Sequence, residues 1–239
     1  MDIKNKIVIV TGASGGIGMA TARLLAQMGA SVALAARREE ILRKLSDELP
    51  GSFVIPTDMR KVESVERMID ETKKHYGRID ILINNAGRGI YGAVENADID
   101  GYREVIDLNV IGPLVAMLKA IPIMREQGGG AIVNISSLVS KSYFPFLGIY
   151  ASTKYALNAL SLTARTELQK DNIIVSVVHP GMTATDFGKN AIKMEPRASA
   201  MESRRREGMP EPDSAEHVAS RIMLAIEMGE AEIYAHDRQ

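Results

Sequence analysis

Short apolar runs recur along the chain, each separated from the next by enough residues for a helix. Seven stand out: "KIVIVTG", "ASVALAAR", "SFVIPTD", "DILINNAG", "GAIVNISS", "NIIVSVVHPG" and "AEIYAHD". Their Val, Ile and Leu content is nearly continuous rather than alternating with polar residues. That pattern suits strands covered on both faces, as in a parallel sheet whose right-handed crossover helices supply the cover. The pattern predicts a doubly wound α/β fold with a seven-stranded parallel sheet flanked by helices on both faces. No internal repeat, low-complexity tract or Pro/Gly/Ser-rich linker divides the 239 residues, so residues 1–239 read as a single domain.

One stretch breaks the alternation. Asp186 to Asp213 carries Met194, Met201 and Met209, the run Arg204, Arg205 and Arg206, and several prolines. It follows the sixth strand, and segments leaving the carboxyl ends of strands in an open α/β sheet line the ligand crevice. A substrate lid is expected around 186–213.

Composition narrows the possibilities. The chain is 46% hydrophobic and 25% charged with a formal net charge of -1, which gives no reason to expect nucleic acid or an anionic membrane as partner. The absence of cysteine removes disulfides, thiolate catalysis and Cys-ligated metals. The N-terminal "MDIKNKIVIVTGAS" reads as neither signal nor anchor, and no apolar run approaches the roughly 20 residues that cross a bilayer. A soluble, cytoplasmic protein is the expectation. The four histidines, at 75, 179, 217 and 236, lack ligand spacing and read as surface or packing residues, so no metal site is expected.

Candidate chemistry begins at "TGASGGIG", Thr11 to Gly18. Glycines at 12, 16 and 18 permit a tight turn and let backbone amides approach a pyrophosphate at the positive end of the following helix. Ser14 stands where the usual G-x-G-x-x-G pattern has its second glycine, so a turn that only packs strand against helix is the competing reading. The second strand ends in Ala36, Arg37 and Arg38, with no carboxylate for a ribose 2′-hydroxyl and two guanidiniums for a 2′-phosphate. NADP(H) is therefore expected over NAD(H). Tyr150 and Lys154, four residues apart in "GIYASTKYALNAL", share a helical face. Taken alone, the pair is equally an ordinary amphipathic stripe.

Six motifs then stand in order: "TGASGGIG", "NNAG" at 84–87, "LNVIG" at 108–112, "NISS" at 134–137, Tyr150 with Lys154, and "PGMTAT" at 180–185. Together they closely resemble the classical short-chain dehydrogenases/reductases (SDR), over essentially the whole chain. The resemblance implies an NAD(P)-binding Rossmann fold with Tyr150 as catalytic acid/base, Lys154 as its electrostatic partner, Ser137 holding the substrate oxygen, and Asn109 keeping a water near Lys154. Ser136 is expected on the opposite face of its strand. Cofactor contacts are implied for Gly12, Ser14, Gly16, Ile17, Gly18, Arg37, Arg38, Asp58, Met59, Asn85, Ala86, Gly87, Tyr150, Lys154, Pro180, Gly181, Thr183 and Thr185. Asp58 resembles the adenine-contacting acid, with a helix N-cap as the alternative. The family also commonly forms homodimers or homotetramers.

Elementary electrostatics gives the Tyr/Lys pair a purpose. A phenol's pKa is about 10, and an ammonium about 5 Å away at an effective dielectric near 20 contributes on the order of 3 kcal/mol, or roughly two pKa units. Lys154 is therefore expected to bring Tyr150 into working range. Tyr143, Phe144, Phe146 and Leu147 gather beside the chemistry in a chain only 5% aromatic, pointing to an apolar ketone, aldehyde or secondary alcohol, or else to buried core or subunit surface. A 3-oxoacyl-thioester reductase is the nearest alternative, with Arg204–Arg206 as an anionic handle; a non-catalytic NADP sensor is the alternative from another class.

Overall fold

The computed structural model describes residues 1–194 and 211–236. Nine strands are numbered in chain order: β1 (Ile7–Thr11), β2 (Ser31–Ala36), β3 (Phe53–Pro56), β4 (Ile81–Asn84), β5 (Ile90–Tyr91), β6 (Gly130–Ile135), β7 (Ile173–His179), β8 (Ile192–Lys193) and β9 (Glu232–Tyr234). Seven of them form the expected sheet, all parallel, in the order β3-β2-β1-β4-β6-β7-β9. The order reverses beside β1, so the crevice opens where β1 and β4 end.

The apolar runs of β1, β2, β3, β4, β6 and β7 are continuous because each of these strands feeds two cores. Val8 and Val10 of β1 join one cluster while Ile9 joins the other, and Ile81 and Ile83 of β4 part from Leu82 in the same way. Helices α1 (Gly16–Gln27), α2 (Glu39–Glu48) and α7 (Ala215–Met228) close the first core with Ala22, Leu25, Leu42, Leu45, Val218 and Ile222. Helices α3 (Val62–Tyr76) and α5 (Gly112–Glu126) close the second with Val65, Met68, Ile69, Ala116, Ala120 and Met124. A fully buried aliphatic side chain of this kind contributes about 1.5–3 kcal/mol.

Of two further helices, α4 (Ile99–Ile106) leads into the turn that carries Asn109, and α6 (Gly148–Leu168) carries Tyr150 and Lys154. Buried amides set α6 in register: Asn84 of β4 donates to Asn134 of β6 at 2.8 Å, and Asn134 donates to Ser161 of α6 at 2.8 Å. In the low-dielectric interior such bonds are directional ties that greasy contacts cannot supply.

The helical run Ile99–Glu126 departs from the sequence expectation. Counting α4, a π-helical turn at Asp107–Ile111 and α5 as one helix, it is long and apolar enough to cross a bilayer, with a hydropathy of 1.6. Its apolarity has another use, since Ala116, Met117, Ala120 and Met124 are buried in the core beneath the sheet. The periodic pattern also gave no sign of β5 and β8, two residues each, which pair Ile90 with Ile192 and Tyr91 with Lys193 and fix the start of the segment after β7.

Candidate active site

The turn between β1 and α1 is built for close backbone approach. Gly12 adopts φ 69°, and a Cβ there would lie 2.8 Å from Asn85 Nδ2. A Cβ at Gly18 would lie 2.5 Å from the same amide and collide with the Gly12 carbonyl. No side chain caps the first turn of α1, and Gly16 faces the Thr185 side chain. These features fit the phosphates of a dinucleotide held by amide N–H groups at a helix N-terminus.

Thr11, which the sequence reading passed over, locks this turn to "NNAG". Its hydroxyl accepts from Asn85 N at 2.9 Å and Ala86 N at 3.0 Å and donates to Ile83 O, while Asn85 Nδ2 donates to Thr11 O at 2.8 Å. Arg38 reaches back over the turn, donating from Nε to Ser14 Oγ at 3.1 Å and from Nη2 to Ser14 O at 2.9 Å. Arg37 is exposed beside it.

Asp58 does not cap α3. That helix begins at Val62 with Lys61 in the cap position, because Asp58 is engaged by Arg60 at 3.0 and 2.7 Å. The Arg60 bond holds the Asp58 carboxyl below its usual pKa in spite of burial. Met59 lies in the core beneath the sheet, where its side chain packs. At the end of β7, Pro180 O accepts from Leu138 N, the Thr183 hydroxyl donates to Gly181 O, and Thr185 Oγ1 accepts from Phe187 N. Ile17 O accepts from Thr21 within α1.

Four side chains from three parts of the fold gather here: the end of β6, the π-helical turn before α5, and α6. Tyr150 and Lys154 are both buried, at 6% and 4% exposure, and the Lys154 Nζ lies 6.0 Å from the centre of the Tyr150 ring. Ser137 follows β6; its hydroxyl acts on the Tyr150 phenol and accepts from Val139 N. Ser136 is buried against Ser140, away from that pair. Asn109 sits in the π-helical turn, a distortion that accompanies functional sites. Its amide is spent on the Arg88 peptide, at 3.0 Å in both directions, and on Thr153 Oγ1 at 3.1 Å, rather than on helix backbone. Gly87 runs between: a Cβ there would lie 3.2 Å from Asn109 Oδ1 and 3.7 Å from Lys154 Nζ.

The electrostatics correct the two-charge estimate. Burial pushes the Tyr150 phenol above its ordinary value, Tyr91 adds to the rise, and the Ser137 hydrogen bond opposes it. Burial lowers Lys154 to about 8. The lysine is spent instead on Ile135 O, to which it donates at 2.8 Å, and desolvation dominates both groups.

The aromatic wall is also elsewhere than expected. Tyr91 stands edge-on to Tyr150 at 6.3 Å and Phe187 is tilted against it at 5.8 Å, with Ile90, Val139, Ile192 and Met194 around them. Tyr143 is instead 93% exposed and stacks at 6.3 Å on Tyr155, which lies on another face of α6. With Phe144, Ala151 and Ser152 these two line an open groove outside the crevice. Met201, Met209 and Arg204–Arg206 lie outside the described residues.

No cluster of metal-ligating side chains occurs among the described residues. His179 is fully buried, stacked on Tyr234 and 2.9 Å from Glu232, and burial lowers its pKa.

Comparison with known proteins places this geometry among relatives. A family model described as short chain dehydrogenase matches residues 6–196. An uncharacterized oxidoreductase of Staphylococcus saprophyticus is 35% identical over 190 residues, which make up 78% of this chain and 77% of that protein. A short-chain dehydrogenase from Streptomyces avermitilis superposes with a TM-score of 0.88 at 33% identity, covering 98% of this chain and 89% of its own. A 7α-hydroxysteroid dehydrogenase complexed with NADH and 7-oxo glycochenodeoxycholic acid superposes with a TM-score of 0.87 at 25% identity, covering 97% and 93%.

Proposed function

We propose, from the premise that the chain belongs to the short-chain dehydrogenase family, that it is an NADP(H)-dependent oxidoreductase interconverting an apolar ketone or aldehyde with its alcohol. The observation that carries the reading is the convergence of Ser137, Tyr150, Lys154 and Asn109 beside a glycine cradle whose amides fit a pyrophosphate. The nicotinamide cofactor, when bound, supplies or accepts the hydride.

The chain's own groups do the rest. Gly12, Ser14, Gly16, Ile17 and Gly18 hold the phosphates with backbone amides, and Arg37 and Arg38 face the adenosine ribose, where the fork of Arg38 is already fixed by Ser14. Asp58 and Met59 border the adenine, Asn85, Ala86 and Gly87 the adenosine side, and Pro180, Gly181, Thr183 and Thr185 the carboxamide end. Ser137 donates to the substrate oxygen and Tyr150 moves the proton to or from it. Lys154 holds the nicotinamide ribose and returns the proton through water beside Asn109. The wall of Tyr91, Phe187, Ile90, Val139 and Met194 favours an apolar substrate.

The NADH bound to the 25%-identical hydroxysteroid dehydrogenase supports a second reading, in which NAD(H) serves instead. The thioester-reductase alternative drew on Arg204–Arg206 and gains nothing from the described residues. The sensor alternative leaves four converging catalytic groups without a purpose. A homodimer or homotetramer is proposed through the exposed groove of Tyr143, Phe144 and Tyr155.

Absorbance of NADPH and, separately, NADH would be followed against apolar ketones, aldehydes and diketones, with Tyr150→Phe alongside. The expected result is NADPH oxidation, with the variant slower by about 10²–10⁴-fold at unchanged cofactor affinity. Faster turnover with NADH would overturn the Arg37/Arg38 assignment.

A further inference from the structure

Arg88 joins three parts of the site. Its peptide is clamped on both sides by the Asn109 amide. Its side chain forks outward: Nε donates to Asn190 O at 2.7 Å, and Nη1 to Glu104 Oε1 at 3.1 Å. Glu104, on α4, is shared with Arg60 at 2.9 Å. Two residues further on, Ile192 N donates to Gly89 O and Met194 N to Tyr91 O, both at 2.9 Å. Those two bonds make the short β5–β8 pairing, and its side chains Ile192 and Met194, with Phe187, pack about Tyr150.

The pairing is too short to hold itself. A two-residue ladder fixes backbone and side chains for only a couple of bonds, so it needs a tie from outside. The guanidinium supplies one with two directed N–H groups, which a lysine's point charge cannot reproduce. Arg88 and Glu104 keep side-chain exposures of 35% and 33%, so their ion pair adds little to global stability and its effect is local.

We propose that Arg88 is a positioning residue that holds the 190–194 segment against Tyr91 and thereby sets the substrate side of the active site, with Glu104 as its anchor. The kinetic half of this inference rests on the reductase reading above; the structural half does not.

The test is amide hydrogen exchange on the full chain, comparing wild type with Arg88→Met, Arg88→Lys and Glu104→Gln, with steady-state kinetics on any carbonyl that wild type reduces. Exchange at Ile192 and Met194 should be about tenfold faster in Arg88→Met and intermediate in Arg88→Lys and Glu104→Gln, with β4 and β6 amides unchanged. The substrate KM should rise five- to tenfold in Arg88→Met while kcat stays within threefold and NADPH affinity within twofold. The Arg88→Met/Glu104→Gln double variant should be no worse than Arg88→Met. Unchanged protection at Ile192 and Met194, or additive losses in the double variant, would overturn the proposal. So would a loss of NADPH affinity equal to the rise in KM, which would move Arg88 to the cofactor side. If wild type reduces nothing, the reductase reading fails while the exchange comparison still decides the role of Arg88.

Discussion

Tyr150 and Lys154 are buried together, and desolvation drives them in opposite directions: the phenol up, the ammonium down to about 8 from 10.5. The lysine makes the consequence measurable. Between about 8 and 10.5 the unfolded chain holds a proton that the folded chain has released, so stability rises with pH across that window. Lys154 therefore costs most below pH 8, by at most about 3 kcal/mol. Urea unfolding of wild type and Lys154→Met at pH 7 and pH 10 should show wild type gaining on the variant as pH rises, and a constant difference would refute the buried ammonium. At the other end of the crevice, Arg38 has its guanidinium fixed over Ser14. Arg38→Ala should weaken NADPH by about 10–100-fold, the worth of one or two charge-assisted bonds, and NADH much less; an equal loss for both cofactors, read by fluorescence titration, would assign Arg38 to the turn alone.

The elements that the apolar runs announced are those whose side chains enter a core. All seven sheet strands put side chains into a core, and for the strands buried on both faces this leaves a continuous Val/Ile/Leu signature. The turn after β1 was readable from its glycines, though not its tie through Thr11 to Asn85 and Ala86. Gly18 is where that tie is least tolerant, since a methyl would meet both Asn85 Nδ2 and the Gly12 carbonyl. Gly18→Ala should cost about 1–3 kcal/mol in urea unfolding, as overpacking does, and should abolish NADPH binding in calorimetry. Retained binding at wild-type affinity would mean that the turn yields and is not the phosphate cradle. The β5–β8 pair had no signature, because two residues are too few for a period. The π-helical turn at Asp107–Ile111 had none either, since a local misfit in a hydrogen-bond ladder leaves the apolar period on both sides intact.

At the scale of the whole molecule, the exposed pair Tyr143 and Tyr155 is aromatic surface that faces away from the crevice. If copies of the chain cover it, Tyr155→Lys should shift sedimentation from a dimer or tetramer to a monomer while leaving the thermal midpoint of the monomer close to wild type; an unchanged assembly would place the interface elsewhere. The sequence by itself determined the architecture, the family resemblance and the glycine turn, because these depend on period, on local backbone freedom and on the order of motifs; Ser137, Tyr150, Lys154 and Asn109 were expectations that the resemblance implied. Only the tertiary structure decided which way each polar group is spent. It gave Asp58 to Arg60 rather than to a helix cap, turned Lys154 to the Ile135 carbonyl, and made Tyr91 and Phe187 the aromatic neighbours of Tyr150 in place of Tyr143. Those outcomes turn on desolvation and on partners up to about a hundred residues away, such as Arg88 and Asn190, and neither is visible in any window of the chain.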